Sequence, residues 1–144
     1  MLYWDTSALF SFFVSEKSST GLRSFVESMP ASSAYTSIIT PLEFESAVLR
    51  RINEKSLTAR EADQIRIFGI QFRRNAFLVP LDLNLLDTAL HLQKIYRLRP
   101  GDAIQLASAR MATDNPAKVV FICLDEKLNE AANREGFQCF TETK

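Results

Sequence analysis

Only two cysteines, four glycines and a single histidine occur among the 144 residues. Cys123 lies within an apolar run and Cys139 near the end, with neither metal-ligand spacing nor the density of a secreted disulfide framework, so both read as reduced and buried. Four Gly and five Pro exclude collagen-like and low-complexity classes. His91 stands with Asp87 and Lys94 at helical spacing and reads as a polar-face residue; nothing in the pattern places it near a reaction centre. Net charge is missing too, because 17 Lys and Arg offset 17 Asp and Glu. No global field therefore advertises nucleic acid, a membrane or an acidic partner, and charge-driven function must come from local clustering. No apolar run approaches the roughly 18 residues of a membrane span. The opening MLYWDTSALFSFFV is interrupted by Asp5 and has no basic leader region or small-residue cleavage site, so a cytoplasmic protein without membrane contact is expected.

What is there suits one globular domain over residues 1–144. With 47% hydrophobic and 24% charged residues, a chain of this size can bury about two thirds of its unfolded surface. The Ser-rich patches Ser15 to Thr20 and Ser32 to Ser33 are short enough to be ordinary loops. Leu2 to Trp4 reads as a strand ending at Asp5, followed by a helix Thr6 to Val14 that is apolar nearly all round and so buried or in an interface. Its Phe10, Phe12 and Phe13 suit core packing or a protein interface better than base stacking. Gly21 to Met29 reads as a helix and Ala34 to Ser37 as a strand. Thr40, Pro41 and Glu43 predict a helix start, with Thr40 at the N-cap and Glu43 as its reciprocal capping partner; Thr58 and Glu61 predict a second capping box. Further on, the pattern gives a strand at Phe77 to Leu81 and helices at Leu83 to Tyr96 and Ala103 to Ala112. A fully apolar strand at Val119 to Leu124 and a helix at Lys127 to Arg134, stopped by Gly136, precede an edge strand at Phe137 to Phe140. Strands separated by helices predict an α/β fold: a three-layer α/β/α sandwich on a mostly parallel central sheet.

In such sheets the ligand crevice lies beyond the carboxyl ends of the strands. Asp5 ends the first strand and Asp125 the strand VVFICL, while Glu43 and Asp102 fall in the first turn or cap of a helix. These four acids are candidates to face one crevice. Each has a plain structural reading as a helix cap or capping partner, but caps need not share one sheet edge. Asp82, a fifth acid after a strand, is only a cap if its strand lies at the sheet edge. Clustered carboxylates repel one another unless some are protonated or a cation neutralises them. A donor set of hard oxygens with no His or Cys suits Mg²⁺ or Mn²⁺ and points to metal-assisted hydrolysis of a phosphodiester. Arg50, Arg51 and Lys55 follow Glu43 on its helix, and Arg97 and Arg99 precede Asp102. Arg50, Arg97 and Arg99 are the candidates to meet phosphates, since guanidinium forks match phosphate oxygens.

These residues resemble the PIN-domain family, in particular the single-domain toxin ribonucleases of VapBC toxin–antitoxin pairs. The likeness is carried by LYWDTSALF, PLEFESAVLRR, RPGDAIQLASA and VFICLDEKLNEAA in that order over nearly the whole chain. It implies that Asp5, Glu43, Asp102 and Asp125 hold Mg²⁺ or Mn²⁺ and activate water for RNA hydrolysis. Asp5 and Asp102 would be the main ligands, with Ser7, or failing it Thr6, orienting a ligand or bound water. The products would carry 5′-phosphate and 3′-hydroxyl ends. The likeness further implies a cognate antitoxin protein that blocks the site and a homodimeric toxin. A phosphatase of the haloacid-dehalogenase kind would need a second Asp where Ser7 stands, and a receiver domain would open with adjacent acids where Trp4 and Asp5 stand. The remaining alternative is a catalytically silent PIN-like module that binds RNA or protein through the same crevice.

Overall fold

The structure is a computed structural model and describes residues 1–14, 19–30 and 32–140. Five strands, β1 (Leu2–Trp4), β2 (Ala34–Ser37), β3 (Phe77–Val79), β4 (Val120–Ile122) and β5 (Gln138–Cys139), form one sheet in the order β3-β2-β1-β4-β5. Every pairing is parallel, with Leu2 opposite both Ala34 and Val120, and Tyr35 opposite Phe77. Among the described residues seven α-helices connect the strands: α1 (Thr6–Val14), α2 (Ser19–Ser28), α3 (Thr40–Asn53), α4 (Ala59–Asn75), α5 (Leu83–Tyr96), α6 (Pro100–Met111) and α7 (Glu126–Arg134). This is the expected three-layer α/β/α sandwich. Among the described residues no helix is long and apolar enough to cross a membrane.

Alternation along the strands explains how both faces become dry. Tyr3, Phe121 and Cys123 point to one side, where they meet Leu85, Leu92, Leu106 and Leu128 of α5, α6 and α7. Leu2, Trp4, Val120 and Ile122 point to the other, against Leu9, Leu22, Phe44, Val48 and Ile65 of α1 to α4. Tyr3 and Phe121 stack at 5.3 Å between ring centres, and truncating the fully buried Phe121 to Ala should cost about 3–5 kcal/mol. The aromatics of α1 are packing residues, as expected: Phe10 and Phe12 meet Phe44 and Trp4 edge to face.

Local chemistry matches the sequence at several ends and departs from it at one. Thr58 and Glu61 form the reciprocal capping box. Asp82 caps α5 by accepting from Leu85 N–H at 2.8 Å, and its strand is at the sheet edge. Gly136, at φ +97°, ends α7 where a β-carbon would be strained. The predicted capping box at Thr40 does not form. Thr40 is already helical, Ile39 occupies the cap position without a side-chain bond, and the Thr40 hydroxyl and Glu43 carboxylate turn inward to other partners. Helix α6 begins three residues earlier than expected, because Pro100 is pre-set for a first turn that needs no N–H. Cys123 is buried, whereas Cys139 is half-buried; both are free. Helix α2 opens within the Ser-rich stretch read as a loop, part of which lies outside the described residues, as do residues 141–144.

Candidate active site

The strand order reverses at β1: β2 and β3 extend the sheet on one side, β4 and β5 on the other. A crevice opens beyond the carboxyl ends of the strands at such a reversal. Here its volume is about 650 Å³, and its lining includes Asp5, Glu43, Asp102, Arg50 and Arg99. Asp5 arrives from the end of β1, where its N–H pairs with Ile122 of β4 at 3.0 Å. Glu43 arrives on the first turn of α3, the helix that follows the neighbouring strand β2. Asp102 arrives on the first turn of α6, which runs back along the sheet toward β4. Three elements far apart in sequence thus deliver three carboxylates to one cavity.

Asp5 is buried, 5% exposed. Burial raises its carboxyl from the ordinary 3.8 to about 6; the Ser7 hydroxyl and N–H oppose the rise, and Glu43 and Asp102 add to it. Its Oδ2 accepts from Ser7 Oγ at 2.6 Å, from Ser7 N–H at 3.1 Å and from the Cys123 thiol at 3.5 Å. Burial likewise lifts Asp102, opposed by Arg99 and reinforced by Asp125 and Glu43. Each of these two carboxyls therefore feels the others. Glu43 is held at one oxygen: Oε1 accepts from Thr6 Oγ at 2.8 Å and from Gln105 Nε2 at 2.7 Å. A β-carbon on Gly101 would stand 2.7 Å from Glu43 Oε2, so this glycine leaves room for the carboxylate against α6.

Asp125 is placed differently from the other three. It caps α7 through Oδ1, accepting from Leu128 N–H at 2.8 Å, while Oδ2 lies 3.9 Å from the Arg99 guanidinium. Arg99 also reaches Asp102 at 3.3 Å and so bridges the two acids, although its own side chain is 80% exposed. Arg50 lines the cavity. Arg97 does not: it ends α5 in the left-handed region, φ 55°, and its carbonyl accepts from Lys127 Nζ at a separate shallow pocket. His91 is exposed on α5, as expected.

Ser7 is tied to Asp5 as described, and its Oγ also accepts from Leu124 N–H at 3.2 Å, joining the ends of β1 and β4. Thr6 belongs to Glu43 rather than Asp5. Sequence reasoning missed Gln105, Thr40 and Gly101. Gln105 is fully buried, and the signal for it was present: a lone amide in the small and apolar stretch Ala103 to Ala107 of α6, a helix whose residues from Gln105 to Ala109 are all buried.

Among the described residues no group of three or more His, Cys, Asp or Glu is arranged to hold a metal ion. The donor chemistry nevertheless fits a hard divalent cation: carboxylate oxygens from three elements line one cavity, and burial and mutual repulsion disfavour their charge in the absence of a counter-ion.

Fold and site together define an α/β protein with an acid-lined crevice at the switch point of a parallel sheet. The family model of the PIN domain matches residues 2–133, and the chain belongs to that family. Among solved structures it is similar to a chain in the structure of FitAB bound to an IR36 DNA fragment. That match has a TM-score of 0.67 and 15% identity, and covers 97% of this chain and 94% of the other. No curated protein sequence matches.

Proposed function

We propose that this chain is a Mg²⁺- or Mn²⁺-dependent endoribonuclease and the toxin of a VapBC-type toxin–antitoxin pair. The observation that carries the reading is the convergence of Asp5, Glu43 and Asp102 on one cavity that also holds Arg50 and Arg99. PIN domains are generally nucleases. Asp5, Asp102 and Glu43 would hold the cation, with Asp125 reaching it directly or through water once Arg99 moves aside. The cation would supply a water of lowered pKa and stabilise the charge that builds on the phosphoryl oxygens. Ser7 fixes the rotamer of Asp5 and lowers its proton affinity, keeping it available as a ligand. Thr6 and Gln105 do the corresponding work for Glu43. Arg50 and Arg99 would take the RNA phosphates beside the scissile bond, contacts that carry no base preference.

A protein partner is part of the proposal. Leu42, Phe77 and Leu83 are 73%, 63% and 79% exposed, apolar side chains that would be available to a cognate antitoxin or a second copy of the toxin. The similar fold in FitAB comes from a structure with bound DNA. In the pair proposed here, DNA contact would belong to the antitoxin, since this chain carries no net charge.

The test is cleavage of a total cellular RNA pool by the purified, antitoxin-free chain with Mg²⁺ or Mn²⁺ against EDTA, with Asp5→Asn as control. Discrete fragments bearing 5′-phosphates that require both metal and Asp5 are expected. Fragments ending in 2′,3′-cyclic phosphate would exclude attack by water. Absence of cleavage alongside intact Mn²⁺ binding would favour the catalytically silent PIN-like module.

A further inference from the structure

One buried side chain ties the carriers of the three crevice acids together. Gln105 lies one turn beyond Asp102 on α6 and is fully buried. Its Oε1 accepts from the phenol of Tyr3 at 2.7 Å. Its Nε2 stands 2.7 Å from Glu43 Oε1, 3.0 Å from Thr40 Oγ1 and 3.1 Å from Thr6 Oγ1. We propose that Gln105 is a positioning residue for Glu43, holding one carboxylate oxygen so that the other is offered to the divalent cation. The inference rests on the metal-dependent reading above.

Proton accounting fixes the direction of every bond in this network. Thr36 Oγ1 donates to the carbonyl of Trp4 at 2.7 Å, so in the 2.6 Å pair with Thr40 it is Thr40 that donates. Thr40 is then left with lone pairs toward Gln105. Thr6 gives its proton to Glu43 Oε1 and likewise turns lone pairs toward Gln105; of the two amide protons one goes to Glu43 Oε1 and the other is shared between the Thr40 and Thr6 hydroxyls. A reversed amide would set its oxygen 2.7 Å from a carboxylate oxygen, with no donor between them. The amide is therefore locked with N–H toward Glu43.

Plain core packing does not require this arrangement. An apolar side chain of the same volume would fill the space between Tyr3, Thr6 and Thr40 without the cost of desolvating an amide, the Tyr3 phenol then needing another acceptor. What the amide adds is directional. Glu43 Oε1 receives two donors from α1 and α6, while Oε2 takes no hydrogen bond from the described residues and lies in the notch left by Gly101. A ligand held at one oxygen and open at the other loses little orientational freedom when a cation arrives.

The experiment is a double-mutant cycle read by calorimetric titration of the metal-free full chain with Mn²⁺, comparing wild type, Gln105→Met, Glu43→Gln and the double variant, with melting in EDTA measured in parallel. Gln105→Met keeps length and volume and removes the donor. It is expected to weaken Mn²⁺ binding about 10- to 100-fold, and to add nothing further once Glu43 is Gln. Gln105→His, which again offers one donor and one acceptor, should recover most of the affinity. If Gln105→Met lowers the melting temperature but binds Mn²⁺ like wild type, or weakens it equally in the Glu43→Gln background, the proposal is overturned while the metal reading stands. If wild type itself binds no Mn²⁺, both fall. Should Gln105→Met fail to fold, Gln105→Glu keeps the shape and the Tyr3 bond, sets a second carboxylate against Glu43, and is read against the same expectations.

Discussion

Glu43 Oε2 stands 2.7 Å from where a β-carbon of Gly101 would lie, so the first turn of α6 and the acid on α3 are fitted to one another at the width of a missing methyl group. Gly101→Ala should therefore act on the site and hardly on the fold. Alanine is the better helix former by about 1 kcal/mol, and the atom it meets is the end of a side chain. That end is pinned by Thr6 and Gln105, so relief must come by breaking one of those bonds or turning Oε2 out of the crevice. Metal-dependent RNA cleavage should fall at least about tenfold, with a melting temperature equal to or above wild type. A large drop in melting temperature would show that α6 itself had moved.

Asp5 is an acid whose folded-state affinity for protons exceeds its unfolded one, about 6 against 3.8. Between these values the native state keeps a proton that the unfolded chain has released, so stability from this group is full below 3.8 and is lost as pH rises toward 6. Asp5→Asn removes that penalty. In EDTA at pH 7 the variant should be more stable than wild type by on the order of 2–3 kcal/mol. The difference should shrink through pH 6 to 4 and vanish below. Chemical denaturation of both proteins across pH checks it, and a less stable Asp5→Asn at pH 7 would contradict the burial argument. Adding Mn²⁺ should raise the melting temperature of wild type but not of the variant.

The elements that create this crevice were legible because each has a local cause. Short continuous apolar runs at Leu2 to Trp4 and Val119 to Leu124, each closed by an acid, read as buried strands of a parallel sheet, and the acid after each falls at the sheet's carboxyl edge whatever the strand order. The capping box at Thr58 is likewise local, and it formed. Thr40 carries the same local signature as Thr58, yet its hydroxyl is spent on Thr36 and Gln105. The difference is tertiary: Thr58 is exposed, while Thr40 is buried where α6 crosses the end of β2, and a buried network outcompetes a cap that water can replace. Arg97 and Arg99 are two residues apart but line different cavities, because the left-handed turn at Arg97 rotates the chain between them.

Arg99 offers a separate test of the crevice. It bridges Asp102 and Asp125 from an exposed position, so the pairs contribute little to stability, and Arg99→Ala should leave the unfolding free energy within about 0.5 kcal/mol. If the guanidinium also meets phosphate, KM for RNA should rise severalfold. The slope of log affinity against log salt should fall by about 0.7 for one single-strand contact. Arg97→Ala, outside the crevice, should leave both unchanged. An Arg99→Ala protein with wild-type KM and salt slope would remove Arg99 from the RNA path.

Ser7 sets how readily Asp5 gives up its proton. Its hydroxyl and N–H both oppose the effect of burial on the Asp5 carboxyl, the hydroxyl the more strongly. Ser7→Ala keeps the backbone bond and removes the 2.6 Å one, so the carboxyl must rise further above 6. A lost hydrogen bond of roughly 1 kcal/mol, the typical net contribution, corresponds to most of a pH unit. Because a ligand carboxyl must lose its proton before it binds metal, the acid side of the Mn²⁺-affinity profile should move to higher pH by about half a unit to one unit. At pH 8, where Asp5 is ionised in both proteins, the affinities should converge. Ser7→Thr restores the hydroxyl and should restore the wild-type profile. A Ser7→Ala profile with unchanged midpoint and uniformly lower affinity would mean that Ser7 acts on the geometry of Asp5 alone and not on its proton.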